Sequence, residues 1–452
     1  MNTTWTHPLE KQSVQKAFLS YLVPSILGML VIAFNFIIDG IMVGHKLGST
    51  ALAGIGIASP VYTLFVAMSL WIGMGGATLY SNYMGEKELL SARRIFTKSI
   101  LIILIATAAI GLTAFSLREQ LVYALGANAE TFPYAADYMN VILLFGFVFT
   151  IENALTIFVR NDGGPRTSMY AQITFAAANI AINYLMLYVL EWGVRGVALG
   201  TIISASLALL VLLTHFLRKN NHLKFTRFKW SKKWLMAIVL IGFPSFLAEL
   251  GMSVFSVAHN VSLDRLAGTD GVASFTVLNY IHGVVLLAFL GLASAAQPLV
   301  SYYYGAKQLD RVKLTLRIAS GTALGFGVLL LVVVQIGASF FVQIFGSFSA
   351  NVMDNAVYGL RIFTFAYLFM GINFVMSTYF QSVGNAKMAI WITAAREMII
   401  MVTLIAILPA FSGVTGVWLA VPLSEMLVLL TIGIYYRKRS THERLTGLTM
   451  SD

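Results

Sequence analysis

Long apolar stretches alternate with short polar, charge-rich loops along the whole chain. Reading each stretch from one charged boundary to the next predicts twelve segments, which begin near Ala17, Leu52, Arg94, Tyr134, Ser168, Val194, Leu235, Val272, Leu314, Ala356, Met388 and Gly413. A transmembrane helix needs about 20 mostly apolar residues, and these segments are long enough. The strands of a membrane barrel would instead be short and would alternate apolar with polar residues. The pattern therefore predicts an all-α polytopic membrane protein with twelve transmembrane helices, numbered here as spans 1 to 12.

Proline residues lie inside several of these stretches. They are Pro24, Pro60, Pro244, Pro298 and Pro422. Membrane helices tolerate proline where neighbouring helices satisfy the freed backbone groups. We therefore expect interruptions at these positions within spans that still cross the bilayer.

The composition supports a membrane protein. Of the 452 residues, 58% are hydrophobic and 11% are charged, whereas soluble domains carry about 25% charged residues. This argues against a secreted enzyme, a nucleic-acid-binding protein and a disordered chain. The sequence has no cysteine, so disulfides and thiolate metal sites are impossible, and we expect no cofactor.

The basic residues are distributed unevenly between alternate loops. One set of loops holds 24 of the 30 Lys and Arg residues, with the densest run between Arg218 and Lys233. The intervening loops hold only Lys46, Arg118, Arg195, Arg265 and Arg361. Because basic loops stay on the cytoplasmic side, we expect a multi-pass protein of the cell inner (plasma) membrane with both termini in the cytoplasm. This asymmetry explains the formal charge of +11 without a nucleic-acid partner.

The second half of the chain repeats the first. A shift of 220 residues aligns Pro24 with Pro244 and Gly48 with Gly268 without a gap. Further pairs are Ser81 and Ser301, Gly85 and Gly305, Lys87 and Lys307, Tyr138 and Tyr358, Asn153 and Asn373, Gly164 and Gly384, and Gly193 and Gly413. The register holds from the first span of each half to the sixth, so the chain is predicted to be an internal duplication.

The duplication predicts two pseudo-symmetric six-helix lobes. We place the first lobe at residues 1–217, a basic cytoplasmic linker at 218–233 and the second lobe at 234–452. Six spans are an even number, so both lobes enter and leave on one side and are parallel repeats. Two such lobes form a central cavity, and rocking between them gives alternating access. A duplicated scaffold without transport is the competing interpretation.

Asp39 is the most prominent polar residue inside a span. It lies fifteen residues past Pro24 in span 1, roughly 22 Å along the helix, and Asn35 lies one turn earlier on the same face. A charge at mid-bilayer costs about 2.5–3.5 kcal/mol on insertion scales and marks a functional candidate. Burial disfavours the charged form of a carboxyl, so we expect Asp39 to exchange a proton near neutral pH. A protonated carboxyl in a purely structural helix–helix hydrogen bond is the alternative.

Three polar side chains are candidates to complete an ion-coupling site with Asp39. Asn179 and Asn183 are spaced i and i+4 in span 5, and Thr201 in span 6 could face them. Amide and hydroxyl oxygens beside one carboxylate suit a hard monovalent cation or a proton-linked hydrogen-bond network. We therefore assign these three residues and Asp39 to ion coupling.

Candidate substrate contacts follow from the same region of the sequence. Besides Asp39 and Asn35, they include Tyr138 and Asn153 in span 4. For Tyr138 and Asn153, interhelical hydrogen bonding is about as well supported by the sequence as substrate contact.

The second lobe is chemically different from the first. His259 stands at the position equivalent to Asp39, where we expect a satisfied interior histidine rather than a ligand. The remaining charged residues within second-lobe spans are interpreted as structural: Glu249, Arg396, Glu397 and Glu425. Arg396 and Glu397 are expected to pair with each other.

These motifs together resemble the multidrug and toxic compound extrusion (MATE) family, most closely its bacterial DinF-like or MepA-like branch. The motifs are Pro24 with Asp39-Gly40, Val43-Gly44, Leu47-Gly48 and Ala51 to Gly54, then Gly85-Glu86-Lys87, Asn179 with Asn183, and Gly193 with Gly196 to Ala198 and Thr201. The resemblance covers essentially the whole chain. It implies two six-helix lobes around a shared cleft and export of bulky, often cationic compounds in exchange for inward H⁺ or Na⁺.

The resemblance also implies roles for particular residues. Asp39 matches the carboxylate of the family's first helix, and Asn179 and Thr201 match its supporting oxygens. Asn183 stands where many members have an aspartate. We therefore favour proton coupling, with Na⁺ at Asp39, Asn179 and Thr201 as the alternative and no other metal. The implied partners are small-molecule substrates, the ion and the lipid bilayer, and a monomer suffices.

Two functions of other classes compete with an exporter. A lipid-linked precursor flippase of the same superfamily would share the two lobes but needs a more basic central cavity. An intramembrane enzyme would need a convergent catalytic set, and the sequence has neither a His-Glu metal motif nor a nucleophile elbow. We therefore predict a transporter that is not an enzyme and rank the flippase second.

Overall fold

The computed structural model describes residues 8–219, 221–345 and 349–446, with side chains described as far as residue 438. Within these ranges the chain forms sixteen α-helices and no strand. They are α1 Pro8–Lys11, α2 Val14–Gly85, α3 Leu89–Ser116, α4 Arg118–Ala124, α5 Phe132–Phe145, α6 Phe147–Asn161, α7 Pro165–Tyr184, α8 Gly193–Leu213, α9 Lys232–Gly305, α10 Leu309–Gln343, α11 Ala350–Phe363, α12 Tyr367–Ser382, α13 Ala386–Ala394, α14 Ile400–Ile407, α15 Pro409–Ser412 and α16 Val414–Thr446. Two π-helical turns, Leu185–Val189 and Ala395–Ile399, and two 3₁₀ turns, Thr214–Leu217 and Thr364–Ala366, extend or join them.

The helices provide twelve membrane crossings. Over the described ranges, nine helical runs are long and apolar enough to cross a membrane, and α5 and α6, bent by 56°, make one more. Two of the nine, α2 and α9, are 72 and 74 residues long and turn sharply at Gly48 and Gly268, so each crosses twice. Gly48 and Gly268 have positive φ angles of 79° and 58°. Residues with a side chain rarely adopt this conformation, whereas glycine adopts it readily. The predicted all-α architecture with twelve transmembrane helices is thus confirmed.

The prolines do not break the spans. Pro24 and Pro60 lie inside α2, Pro244 and Pro298 inside α9, and Pro422 inside α16. The helices continue through all five, so the interruptions expected there do not occur. Packing against neighbouring helices compensates for the hydrogen bond that each proline lacks.

The two halves repeat each other in structure. Both long helices end at equivalent glycines, Gly85 and Gly305, and the following helices begin at the equivalent Leu89 and Leu309. The π-helical turns break the symmetry, because they lie in span 5 and span 11 but not at equivalent positions. Between Leu217 and Lys232 the described residues form no helix. The exact lobe boundaries at 217 and 234 stay a prediction.

The apolar core is shared at one end of the molecule and divided at the other. One cluster contains residues of both halves, including Tyr80, Met84, Tyr302 and Tyr303, next to the basic loops that follow Gly85 and Gly305. We call this end the basic end. Toward the opposite end, one cluster draws only on residues 255–421 and another only on residues 51–205. The lobes are therefore joined at the basic end and have separate cores beyond it.

Glycines bring the two lobes into close contact at the basic end. A Cβ on Gly85 would collide with the backbone of Tyr302, and a Cβ on Gly305 would collide with the backbone of Asn82. Asn82 and Tyr302 are themselves related by the 220-residue shift, so the pseudo-twofold axis passes through this contact. A hydrogen bond between the lobes reinforces this contact: Asn161 Nδ2 donates to Gln297 Oε1 over 2.9 Å.

Candidate functional site

Asp39 lies in span 1 at the centre of a cluster of amides. Asn183 Nδ2, from span 5, donates a short hydrogen bond to Asp39 Oδ1. Asn35 Nδ2 donates to Asn179 Oδ1 over 2.9 Å, and Asn183 Nδ2 lies 3.2 Å from the same oxygen. Asn179 Nδ2 in turn points at Thr201 Oγ1, 3.5 Å away. The structure thus brings together five of the residues that the sequence singled out, from spans 1, 5 and 6.

The local sequence explains why these side chains converge. The i, i+4 spacing places Asn179 and Asn183 on one face of α7, and the same spacing places Asn35 and Asp39 on one face of span 1. Both asparagines of α7 are at most 1% exposed. Gly200 in α8 leaves room for them, because a Cβ there would collide with Asn183 Oδ1. The helices can therefore approach closely around the carboxylate.

The amide of Asn179 can face Asp39 in two ways. The amide atom that Asn35 and Asn183 contact also lies 3.2 Å and 3.3 Å from the two carboxylate oxygens of Asp39. With nitrogen at that position the amide donates to a charged carboxylate; with oxygen there it accepts from a protonated carboxyl or shares a cation with it. The two orientations differ by a rotation of 180° and are not distinguished by shape. The cluster can therefore adapt to a change in the charge of Asp39.

Tyr138 and Asn153 lie outside this hydrogen-bonded cluster. Tyr138 is buried in span 4 and close enough to Asp39 to interact with its charge. Asn153 is half-buried on the same span and makes none of the hydrogen bonds described above. Their assignment as substrate contacts stays a prediction.

Tyr62 and two glutamates add to the surroundings of Asp39. The Tyr62 ring packs on Phe149 with centroids 4.9 Å apart. Its hydroxyl lies within electrostatic range of Asp39, of Glu152 in span 4 and of Glu249 in span 7. Tyr62 was not among the residues predicted from the sequence. Its position two residues after Pro60 and next to Thr63, within the second apolar span, was a usable signal. Acidic groups from both lobes therefore lie near Tyr62.

His259 occupies a different environment from that of Asp39. It is fully buried, its Nδ1 lies 2.8 Å from the Phe255 carbonyl oxygen, and its ring stacks on Phe275 with centroids 4.8 Å apart. This geometry is that of a packed interior histidine. Over the described ranges, no group of three or more His, Asp or Glu side chains could hold a metal ion.

Comparison with known proteins places this architecture in a family. The family model described as MatE matches residues 24–185 and 244–407, one segment in each half. The multidrug export protein MepA of Staphylococcus haemolyticus is 26% identical over 435 residues, which cover 95% of each chain. MepA of Staphylococcus saprophyticus is 26% identical over 443 residues, covering 97% of this chain and 96% of the relative.

Solved structures share the fold over nearly the whole chain. An outward-facing multidrug resistance MATE family transporter of the MOP superfamily superimposes with a TM-score of 0.91 at 23% identity, covering 99% of this chain and 100% of that one. A MATE protein in a bent conformation gives a TM-score of 0.88 at 23% identity, with 98% of both chains covered. The chain therefore belongs to the MATE family and is a multi-span membrane transporter rather than an enzyme.

Proposed function

We propose that this protein exports bulky, cationic compounds across the membrane in exchange for an inward-moving proton, by alternating access between its two lobes. The observation that carries this proposal is the Asp39 cluster in the first lobe, together with an apolar core that joins the two lobes at the basic end. In this proposal, the cleft between the lobes opens at the opposite end. The staphylococcal relatives are multidrug export proteins, which supports the cargo class. The basic end is the cytoplasmic one in this proposal, as the distribution of Lys and Arg predicts, so the cleft faces outward.

The acidic lining of the cleft favours cationic cargo. Asp39, Glu152 and Glu249 surround Tyr62, and a carboxylate attracts a cation more strongly in a low-dielectric cleft than in water. The flippase alternative requires basic groups at the same place. Arg396, a buried basic residue inside a second-lobe span, is paired with two glutamates instead. The exporter is therefore the better supported of the two.

Exchange follows from competition for Asp39. In its charged form, Asp39 accepts from Asn183 and helps the cleft to hold a cation. A proton that enters from the outward side neutralises the carboxylate, the protonated carboxyl donates to the Asn179 oxygen, and span 1 rearranges around Pro24. The cargo then loses its counter-charge and leaves outward.

A proton suits this cluster better than Na⁺. Sodium prefers several oxygen ligands, whereas the amide nitrogen of Asn183 faces Asp39 and provides none. A protonated carboxyl needs only one acceptor, which the Asn179 oxygen supplies in one of its orientations. Na⁺ held by Asp39, Asn179 and Thr201 is the alternative that the experiment below distinguishes. A monomer is sufficient, because one chain contains both lobes.

The test is transport by the purified protein in liposomes under an imposed pH or Na⁺ gradient. We expect a pH gradient to drive export of a cationic dye, and Asp39→Asn to reduce this export to background because the substituted amide cannot exchange a proton. Asp137→Asn is the matched control: Asp137 is exposed on span 4, so export should be unchanged. Transport by Asp39→Asn with its pH dependence intact would refute the proposal, and transport driven by Na⁺ alone would refute proton coupling.

A further inference from the structure

The segment that joins the two lobes is held against the first lobe. Residues 221–231 form no helix, yet hydrogen bonds from and to α3 fix their course. Arg93 Nε, in α3, donates to the His222 carbonyl oxygen over 3.1 Å. The Thr226 backbone N–H donates to Thr97 Oγ1, also in α3, over 3.1 Å. The segment therefore lies along the first turns of span 3, at the basic end.

The second part of this segment carries only positive charge. Residues 224–233, which we call the linker surface, contain five Lys or Arg residues and no Asp or Glu. All five are exposed: Lys224, Arg227, Lys229, Lys232 and Lys233. None of the five forms an ion pair with another residue in the ranges that the structure describes. The linker surface therefore presents a dense group of unpaired cations.

Aromatic side chains are exposed among these cations. Phe225 is 64% exposed and Trp230 is 59% exposed. Phe225 contacts Phe96 of α3 with ring centroids 5.1 Å apart, and Trp230 meets Phe228 edge-on at 5.2 Å. These contacts orient the two rings without burying them. Exposed tryptophan beside basic residues is typical of the level where a membrane protein meets the lipid headgroups.

The internal repeat does not account for this concentration of charge. The shift of 220 residues aligns the linker surface with residues 4–13, which precede span 1 as the linker surface precedes span 7. Residues 4–13 contain one Lys and one Glu, and no Arg or Asp. The first lobe therefore begins without such a group of cations, and the linker surface has acquired a property that its counterpart lacks.

The partner that fits the linker surface is an anionic phospholipid. Four to eight basic residues directly beside the end of a transmembrane helix attract negatively charged headgroups, and α9, which begins at Lys232, provides that helix. We propose that the linker surface binds anionic phospholipids, with its Lys and Arg side chains at the headgroups and Phe225 and Trp230 inserted between the lipids. That the lipids belong to the cytoplasmic leaflet rests on the orientation in the proposed function, whereas the binding itself does not.

The test is titration of the delipidated, full-length protein in detergent with phosphatidylglycerol, and separately with phosphatidylcholine of the same acyl chains. Native mass spectrometry counts the bound lipids at each concentration. We expect phosphatidylglycerol to bind about tenfold more tightly than phosphatidylcholine. This preference should decrease as the salt concentration rises, because salt screens exposed charges.

A triple variant removes the charges of the linker surface. It combines Lys224→Gln, Arg227→Gln and Lys229→Gln, and it should weaken phosphatidylglycerol binding by about tenfold to a hundredfold. Phosphatidylcholine binding should stay the same, because that lipid has no net charge. Trp230→Ala, which removes an inserted ring, should weaken the binding of both lipids. All four side chains are exposed, so we expect the fold to be retained.

A second triple variant is the matched control. It combines Lys307→Gln, Lys313→Gln and Arg317→Gln, which are exposed residues at the basic end of the second lobe. It removes the same charge from the same side of the molecule but leaves the linker surface intact. We expect it to bind phosphatidylglycerol as tightly as the wild type does.

The outcomes separate this inference from the proposed function. Equal affinity of the wild type for the two lipids overturns the inference, as does phosphatidylglycerol binding that both triple variants weaken equally or that the linker variant leaves intact. Displacement of phosphatidylglycerol by an equal concentration of glycerol 3-phosphate assigns the surface to a soluble phosphate and also overturns it. If the linker variant alone loses the preference but wild-type liposomes show no dye export, the proposed function fails and the lipid-binding surface stands.

Discussion

Asn183 lies closer to the Asp39 carboxylate than any other amide in the cluster. In the proposed mechanism, the chemistry of that one side chain therefore determines which ion the cluster suits. Its nitrogen donates to Asp39 Oδ1, and a donor there satisfies a charged carboxylate without a metal ion. Replacing this donor by a second carboxylate would instead make the cluster require a cation. Two carboxylates at that distance cannot both be charged unless a cation lies between them.

We therefore expect Asn183→Asp to create a dependence on Na⁺. In liposomes, the wild-type protein should respond to a pH gradient, and Asn183→Asp should gain export under a Na⁺ gradient at neutral pH. Asn153→Asp, on a half-buried residue outside the cluster, is the matched control and should not gain it. If Asn183→Asp remains indifferent to Na⁺, the amide of Asn183 does not determine ion choice.

At the scale of elements, a buried carboxylate helps to fasten the segment between the lobes to the first lobe. Asp162, in the turn between α6 and α7, accepts from Tyr80 Oη over 2.6 Å and from the His222 backbone N–H over 3.0 Å. His215 Nε2 at the end of span 6 lies 2.8 Å from Asp162 Oδ2. Burial alone would raise the pKa of Asp162, but the hydrogen bonds from His215, His222 and Tyr80 outweigh it and hold the pKa well below its ordinary value.

This anchor predicts a defined pH dependence of stability. Because the folded-state pKa of Asp162 is lowered, its stabilising contribution is complete above its unfolded value of about 3.9 and is lost as pH falls through the folded value. At neutral pH, Asp162→Asn should lower the melting temperature by an amount that corresponds to about 2–3 kcal/mol. Asp137→Asn should leave the melting temperature unchanged. A melting temperature of Asp162→Asn equal to that of the wild type would show that the anchor adds no stability.

The elements also show what sequence can and cannot predict. The spans follow from apolar length alone, and the duplication follows from residue pairs such as Gly48 and Gly268, which retain the same sharp turn in both halves. The π-helical turn at Arg396 was not predictable, because a single extra residue in a helix barely changes the apolar pattern. The Arg396–Glu425 ion pair joins spans 11 and 12, so only the packing of these helices reveals that both glutamates share one arginine.

At the scale of the whole molecule, the proposed alternating access depends on how closely the lobes approach at the basic end. Gly85 and Gly305 make this approach possible, since a side chain on either would collide with the backbone of the other lobe. The sequence paired these glycines through the repeat, but it did not show that they touch. Their contact depends on how the two lobes are placed relative to each other, which the pattern of residues along the chain does not show.

A side chain at this contact should shift the balance between access states. We expect Gly85→Val to separate the lobes at the basic end and bring their opposite ends together. Because the chain has no cysteine, spin labels on Asp137→Cys and Asp354→Cys, both exposed positions, report the distance across the open end. That distance should shorten in Gly85→Val and stay the same in Gly325→Val, where an added Cβ meets nothing within 4 Å. An unchanged distance in both would contradict a gating role for the glycine contact.

The shared core at the basic end limits how the two lobes can move apart. Tyr80, Met84, Tyr302 and Tyr303 bury one another across the lobe boundary, so opening toward the basic side must hydrate apolar surface that is now dry. The free-energy cost of hydrating this surface is offset only if a comparable apolar area is buried at the opposite end in the same motion. In the proposed mechanism, the change of access therefore exposes apolar surface to water at one end while a similar area is buried at the other. The two access states then differ little in free energy, and the few kcal/mol released by binding one ion are enough to favour one of them.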